Sequence, residues 1–449
     1  SVNLVLYEHL LKKGVSEKCL ELEQDFMLAI HNMMENGFHF DTQKGVELYA
    51  KLQKRKAEIE GGLQEIFPPQ ITYMKTPQYY LDRYDNKYRI KSEAPKDERG
   101  SLRRGPLKEK RVPFNPNSRD QIGKAFIEKY EWKPDKFTPE GKPKVDEAVL
   151  NSLPYPEAKP LAEYMMLTKR IGQLAEGDSA WLKLEKDNRI HGFVNHNGAV
   201  SGRCTHSRPN LGQVPAVRAP YGKECRSLFN VPPGYKLVGA DMSGLELRCL
   251  AHYLHTWDDG EYATEVVSGD IHAVNQWAAG LETRDEAKRF IYAFLYGGGS
   301  KLIGSIVGGN ERDGMMLKRK FLNSLPALDS LIEAVQTKVL EKGYLVGLDG
   351  RPLPSRSVHS ALNLLLQSCG AVLMKKATVK LVEQIKLKGL DAKLVAHVHD
   401  EVQIEVHEQE ADYVGRLAVK CFQYAGQAFK LNCPLDGEYH IGDNWAETH

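Results

Sequence analysis

Apolar residues recur every three or four positions from Leu20 to about Phe67: Leu22, Phe26, Ile30 and Met33, then Val46, Leu48, Leu52, Ile59, Leu63 and Ile66, with a break from Gly37 to Asp41. That spacing gathers them on one stripe of a helix, so the segment predicts a helical hairpin. From Pro68 to Pro113 the rhythm collapses. Between Gln70 and Arg111 stand 12 basic and six acidic residues, interleaved with Tyr73, Tyr79, Tyr80, Tyr84 and Tyr88. This reads as a basic, Tyr-rich insertion of mostly non-periodic chain, either a solvated loop or one that contacts a partner or DNA. Helical pattern returns at Ser118 to Tyr130 and at Leu161 to Leu174. After about Trp181 strand-like segments and Gly-containing turns take over, followed by a helix-rich block from about Gly269 to Leu345 and by alternating strands near the end. A β-containing unit interrupted by a helical block needs long-range assembly, and the chemistry is expected where its separated halves meet.

At 449 residues the chain is too long for a single small module and suits about three domains, or one large domain with lobes. Its 42% hydrophobic and 27% charged residues supply a core and exclude wholesale disorder. A formal net charge of +2 does not announce a polyanionic partner, so any basic surface must be local. No apolar run is long enough for a membrane span and no secretory signal is visible, so a soluble, intracellular protein is expected. Seven scattered cysteines without a C-x-x-C pair fit a reducing compartment and buried thiols. The chain opens with Ser1 rather than Met, as a cut or processed start would.

Four segments carry candidate chemistry. In YKLVGADMSGLELRCLAHYL (Tyr235 to Leu254) a short buried strand ends at Asp241 and a helical rhythm starts at Leu245. A carboxylate at the exit of a buried strand needs a cation, unless it merely caps the next turn. In KLVAHVHDEVQIEV (Lys393 to Val406) two strand patterns flank His399, Asp400 and Glu401, placing them at a hairpin tip, where such residues are often only a polar turn. Should this hairpin pair with the strand ending at Asp241, three carboxylates would converge, and oxygen-only ligation would suit paired Mg²⁺ ions acting on a phosphate substrate. In TRDEAKRFIYAFLYGG, Arg284, Lys288, Tyr292 and Tyr296 recur every four residues and share a helix face, basic at one end and aromatic at the other. That suits a nucleotide's phosphates and base, although such stripes are usually solvated faces; His272, just upstream, is either another phosphate donor or structural. The fourth segment, NGAVSGRCTHSRPNLGQVP (Asn197 to Pro215), offers amides and guanidinium groups. With Asn363 and Gln367, one helical turn apart, it can supply hydrogen bonds to minor-groove acceptors, or internal ones only.

In this order the four segments resemble the DNA polymerase I family (family A), most closely its replicative phage branch. DMSGLELR (Asp241 to Arg248) is similar to the first acidic motif, R-x-x-x-K-x-x-x-Y-x-x-x-Y-G (Arg284 to Gly297) to the fingers helix, HDE (His399 to Glu401) to the second acidic motif, and SGRCTHSRPNLGQVP to the primer-strand segment. The resemblance runs over nearly all of residues 180 to 449 and weakens toward the start, where VPFNPNSRDQI (Val112 to Ile122) and the helical pattern carry it.

The resemblance implies an α+β right hand that extends a DNA primer on a template with deoxynucleoside triphosphates. Its thumb would span residues 20–180 with the insertion at about 68–113, its palm 181–258 and 359–449, and its fingers 259–358. Residues 1–19 would be the remnant of a preceding domain's last helix. Asp241 and Asp400, with the backbone carbonyl of Met242, would hold two Mg²⁺ ions, and Glu401 would be secondary. Arg284, Lys288 and His272 would bind the triphosphate, Lys288 assisting the leaving pyrophosphate. Tyr296 would hold the template-base stacking place, and Glu246 with Tyr292 would exclude a ribose 2′-hydroxyl. Arg203, Asn210, Gln213, Asn363, Gln367 and His399 would contact DNA. A proofreading exonuclease domain ahead of the thumb is absent, so no proofreading is expected. The insertion lies where some phage relatives recruit a host thioredoxin, which makes thioredoxin or another processivity factor its candidate partner. Two rival functions are a single-subunit RNA polymerase, against which Glu246 argues, and a non-catalytic DNA-binding scaffold.

Overall fold

The computed structural model describes residues 2–449. They form an α+β protein that divides into two compact units, residues 45–180 and the rest of the described chain.

In the larger unit the elements that matter are helices α1 (Glu17–Asn36), α2 (Leu245–Asp258), α3 (Arg284–Leu295), α4 (Ala361–Leu387) and α5 (Ala411–Ala428). The strands are β1 (Phe193–Asn195), β2 (Thr205–Ser207), β3 (Tyr235–Met242), β4 (Tyr344–Val346), β5 (Pro352–Pro354), β6 (Ala392–Val398), β7 (Glu401–His407) and β8 (Gly437–Gly442). Four of them form an antiparallel sheet in the order β6-β7-β3-β8. Strand β3 is central, and its run of Leu237, Val238, Gly239 and Ala240 is buried, because helices cover one side and the chain's last residues cross the other. Gly239 shows how close that crossing is: a β-carbon there would run into the Thr448 carbonyl and the Gln403 amide.

Helix α4 is apolar nearly all round over its first five turns, since α1, α2 and α5 all pack on it. Helix α1 turns Leu22, Phe26, Ala29, Ile30 and Met33 inward against α4 and β6. This burial draws α1 into the larger unit, whereas the sequence pattern groups it with the helices up to residue 180. The hairpin expected over Leu20 to Phe67 is therefore divided: its second helix, Thr42–Ile66, runs into the smaller unit.

That unit is built from this helix with Arg119–Tyr130 and Ala158–Ile171, around Leu52, Leu63, Phe67, Phe114, Phe126 and Leu161. Phe67 stacks on Phe114 with ring centroids 4.5 Å apart. The Tyr-rich insertion is ordered. Gln70–Pro77 pairs antiparallel with Leu107–Val112 as a ribbon, beyond which Tyr80–Leu81, Lys87–Tyr88 and Arg103–Arg104 form a small sheet. Buried Asp82 organises that sheet, accepting bonds from the Tyr84 and Asn86 N–H groups, the Asn86 amide and the Tyr88 hydroxyl. The ribbon escaped the sequence reading for a physical reason. Alternation marks a strand with one buried face, and Gln70 to Thr76 is exposed throughout, Ile71, Tyr73 and Met74 included.

Candidate active site

Asp241 is the penultimate residue of β3, and the β6–β7 turn delivers Asp400 beside it. The Met242 N–H donates to the Asp400 carbonyl at 3.1 Å, and Asp241 lies in register with Glu401. His399 makes the turn possible by taking the left-handed conformation, φ +57°. Burial, then the charges of Asp400 and Glu401, push the Asp241 carboxyl up to about 8. Burial, then Glu246, push Asp400 up to about 6. Two half-buried carboxylates, the charge of Asp400 raising the cost of ionising Asp241, are an electrostatic demand for a cation, and their oxygens are the donors Mg²⁺ prefers. Among the described residues no group of three or more His, Cys, Asp and Glu side chains is gathered in a metal-holding arrangement. The aspartate pair could hold a metal with water and substrate oxygens completing its coordination.

Glu401 stands apart from that pair in its bonding. Its Oε1 accepts from Trp445 Nε1 at 2.5 Å and Gln403 Nε2 at 2.6 Å, and its Oε2 meets His449 Nδ1 at 2.7 Å. Burial works to raise this carboxyl, yet the bonds from His449 and Gln403 hold it below the ordinary carboxylate value. The hairpin pairs with β3 as the expectation required, so the three carboxylates do lie near one another; Glu401 differs from the other two in that its oxygens are already taken by Trp445, Gln403 and His449. Sequence reading missed Trp445, Gln403, Thr448 and His449, because nothing local to Asn444–His449 says which strand it will cross.

Beside the aspartates, Glu246 in the first turn of α2 receives the Tyr296 hydroxyl at 2.6 Å and Arg203 Nη2 at 3.2 Å, both on Oε1. Tyr292 stacks near Tyr296, with centroids 6.4 Å apart. Burial, then the charges of Glu246, Asp400 and Asp241, push the Tyr292 phenol up to about 12. Helix α3 starts where it does because Thr283 and Glu286 form a reciprocal capping box, Thr283 Oγ1 accepting from the Glu286 N–H and Glu286 Oε2 from the Thr283 N–H.

The basic end of α3 forms a second cluster. Arg284 pairs with Asp270, which caps the helix Ile271–Ala279, and His272 is held below its ordinary value by burial, then Arg284 and Lys288. Arg284 and Tyr296 are about 18 Å apart along the helix at 1.5 Å per residue, so cations and rings are stations along one track.

The amide-rich loop contributes unevenly. Arg203 and His399 join the Glu246–Asp400 group. Asn210 precedes the turn Leu211–Gln213, its carbonyl accepting from the Gln213 N–H at 3.1 Å, and Gln213 is exposed on it. Asn363 and Gln367 are half-buried in the first turns of α4, Asn363 beside Gly297 at the end of α3.

The profile of DNA polymerase family A matches residues 92–447. The chain is 38% identical to the DNA-directed DNA polymerases of Enterobacteria phage T3 and Escherichia phage T7, over 97% of this chain and 70% of each relative. It is 28% identical to DNA polymerase I of Pseudomonas aeruginosa, over 75% of this chain and 39% of that relative. In fold it resembles the POL domain of Pol1 from M. smegmatis, solved with DNA primer-template and dNTP, at a TM-score of 0.76 and 19% identity, covering 95% of this chain and 70% of that one.

Proposed function

The chain belongs to DNA polymerase family A, and from that premise we propose that its site extends a DNA primer along a template with deoxynucleoside triphosphates by a two-metal-ion reaction. The observation that carries this is the meeting of Asp241 and Asp400 at adjoining ends of β3 and the β6–β7 turn, in front of a helix bearing cations and tyrosines. In the reaction the primer 3′-oxygen forms a bond to the α-phosphorus of the incoming nucleotide, the bond to the β-phosphate oxygen breaks, and pyrophosphate leaves with the electron pair. Two Mg²⁺ ions, held by Asp241, Asp400 and the Met242 backbone carbonyl, would activate the attacking oxygen and neutralise the leaving group.

The chain's own side chains take the remaining roles. Arg284, Lys288 and His272 bind the triphosphate, and Lys288 stabilises or protonates the departing pyrophosphate. Glu246 with Tyr292 closes the space a 2′-hydroxyl would occupy, which favours DNA over RNA as product. Tyr296 holds the template-base place until the helix swings toward the aspartates. Arg203, His399, Asn363 and Gln367 contact the primer terminus and minor groove, with Asn210 and Gln213 on the same DNA-facing loop. The exposed ribbon is the candidate docking place for a processivity partner, thioredoxin or another.

Primer extension on a labelled template, with and without thioredoxin, tests both readings. Extension that needs Mg²⁺ and releases pyrophosphate supports the first, and longer products per binding event on adding thioredoxin support the second. Duplex binding without any extension would leave only a DNA-binding scaffold.

A further inference from the structure

Behind the primer-side loop lies a cluster of buried charges that the reaction above does not use. Arg351, in the turn between β4 and β5, gives Nε to both Asp349 oxygens at 3.0 and 3.1 Å, and Nη2 to Asp349 at 2.7 Å and to Glu23 of α1 at 2.6 Å. Lys375 of α4 donates to the same Glu23 oxygen at 2.5 Å. The side chains of Arg351, Asp349 and Lys375 are 6%, 0% and 1% exposed. Two cations and two anions balance, but buried ion pairs give no dependable stability advantage over apolar packing, so the consequence to look for is geometric.

The remaining arm of the guanidinium points to that consequence. Gly202 has φ +81°, and a β-carbon on it would overlap Arg351 Nη1. Gly202 sits in a tight turn closed by its own N–H bonding the Ala199 carbonyl at 2.8 Å and by the Ala199 N–H bonding the Arg203 carbonyl at 3.2 Å. The next residue is Arg203, which reaches Glu246. On the near side of the turn, His196 Nε2 stands 3.7 Å from the other Glu23 oxygen. The cluster therefore flanks the turn on both sides, with Arg203 as its outlet.

We propose that Arg351 is a positioning residue: its fixed guanidinium bears on Gly202, holds Arg203 against Glu246, and thereby sets how well the site distinguishes deoxyribose from ribose. This rests on the reading of Glu246 as the sugar screen. Arg351→Lys keeps the charge but loses the planar fork that meets Asp349, Glu23 and Gly202 at once.

The test measures single-nucleotide incorporation by the full chain and takes the ratio of kcat/KM for a deoxynucleotide to that for the matching ribonucleotide. This ratio is independent of the active fraction, so simple loss of folded enzyme does not move it. Arg351→Lys and Gly202→Ala approach the contact from opposite sides, and each should lower the ratio about fivefold, the scale of one ordinary hydrogen bond's net contribution. Arg203→Ala should lower it as well, and Arg351→Lys should add nothing in that background. An unchanged ratio in both contact variants, or an Arg351→Lys effect that is full-sized without Arg203, overturns the inference while leaving the site reading intact. An unchanged ratio in Arg203→Ala alone overturns the reading of Arg203 and Glu246, and the inference with it.

Discussion

The Tyr296 hydroxyl and the Glu246 carboxylate are 2.6 Å apart, and Arg203 shares the same carboxylate oxygen. This bond ties the end of α3 to the first turn of α2. It also occupies the group that would screen the incoming sugar. On the proposed reading, a nucleotide entering the site would compete with a phenol for Glu246.

Tyr296→Phe should relieve that competition while keeping the ring. Because Tyr296 is part-exposed, the bond is worth less than a buried charge-assisted one, and a two- to fivefold fall in KM for the deoxynucleotide is expected, about 0.5–1 kcal/mol. Steady-state single-nucleotide incorporation measures it; a raised KM would mean that the bond assists binding.

Replacing Asp241 or Asp400 with Ala should cost at least about 10³-fold in extension rate, the scale of removing preorganised electrostatic stabilisation at a reacting group. Duplex binding, read by fluorescence anisotropy, should persist. Extension at near-normal rates in either variant would refute the two-aspartate site.

Glu246→Ala should act on sugar choice, raising ribonucleotide incorporation relative to deoxynucleotide by about tenfold, or 1.4 kcal/mol. Competition assays with mixed nucleotides read this ratio directly. Unchanged discrimination would remove the basis for preferring DNA over RNA as product.

Glu401→Gln should show as lost stability. It keeps the shape but gives Trp445, Gln403 and His449 one acceptor group fewer and a neutral one, costing about 2 kcal/mol in chemical denaturation of the larger unit. No change in the denaturation midpoint would show that the chain's end does not need this anchor.

In the smaller unit, buried Glu157 accepts from Lys129 at 2.6 Å and from the Tyr130 hydroxyl at 2.5 Å. Burial alone would raise its carboxyl, but those bonds hold it below the ordinary value near 4.5. A depressed carboxyl contributes stability that is fully present above its unfolded value and lost as pH falls through its folded value. The smaller unit should therefore lose about 1 kcal/mol as pH drops below about 4.5, the contribution being modest because Lys129 is screened by solvent. Glu157→Gln should flatten that limb of a thermal-melting series against pH; an equally steep limb in the variant would assign it to other groups.

Asp241 at a strand exit, the Arg284–Tyr296 stripe and the His399–Asp400 turn were legible because each is a short-range pattern: a buried run, a period near four, two strands about a tight turn. What the two aspartates share, what Glu401 is for, and what stands behind Gly202 were not. The C-terminal crossing over Gly239 and the Glu23–Arg351–Lys375 cluster join residues up to 352 positions apart. The exposed ribbon was illegible for the opposite reason, since a strand buried on neither face leaves no alternation to read.

The sequence by itself thus determined the amphipathic helices, the strands with a buried face and the kinds of chemistry available, because local periodicity and residue type depend only on near neighbours along the chain. Tertiary structure alone decided which carboxylates face one another, which are already satisfied, and which arginine leans on which glycine. Those choices follow from strand pairing and burial, where the energy of a contact depends on proximity in space and is blind to distance along the backbone.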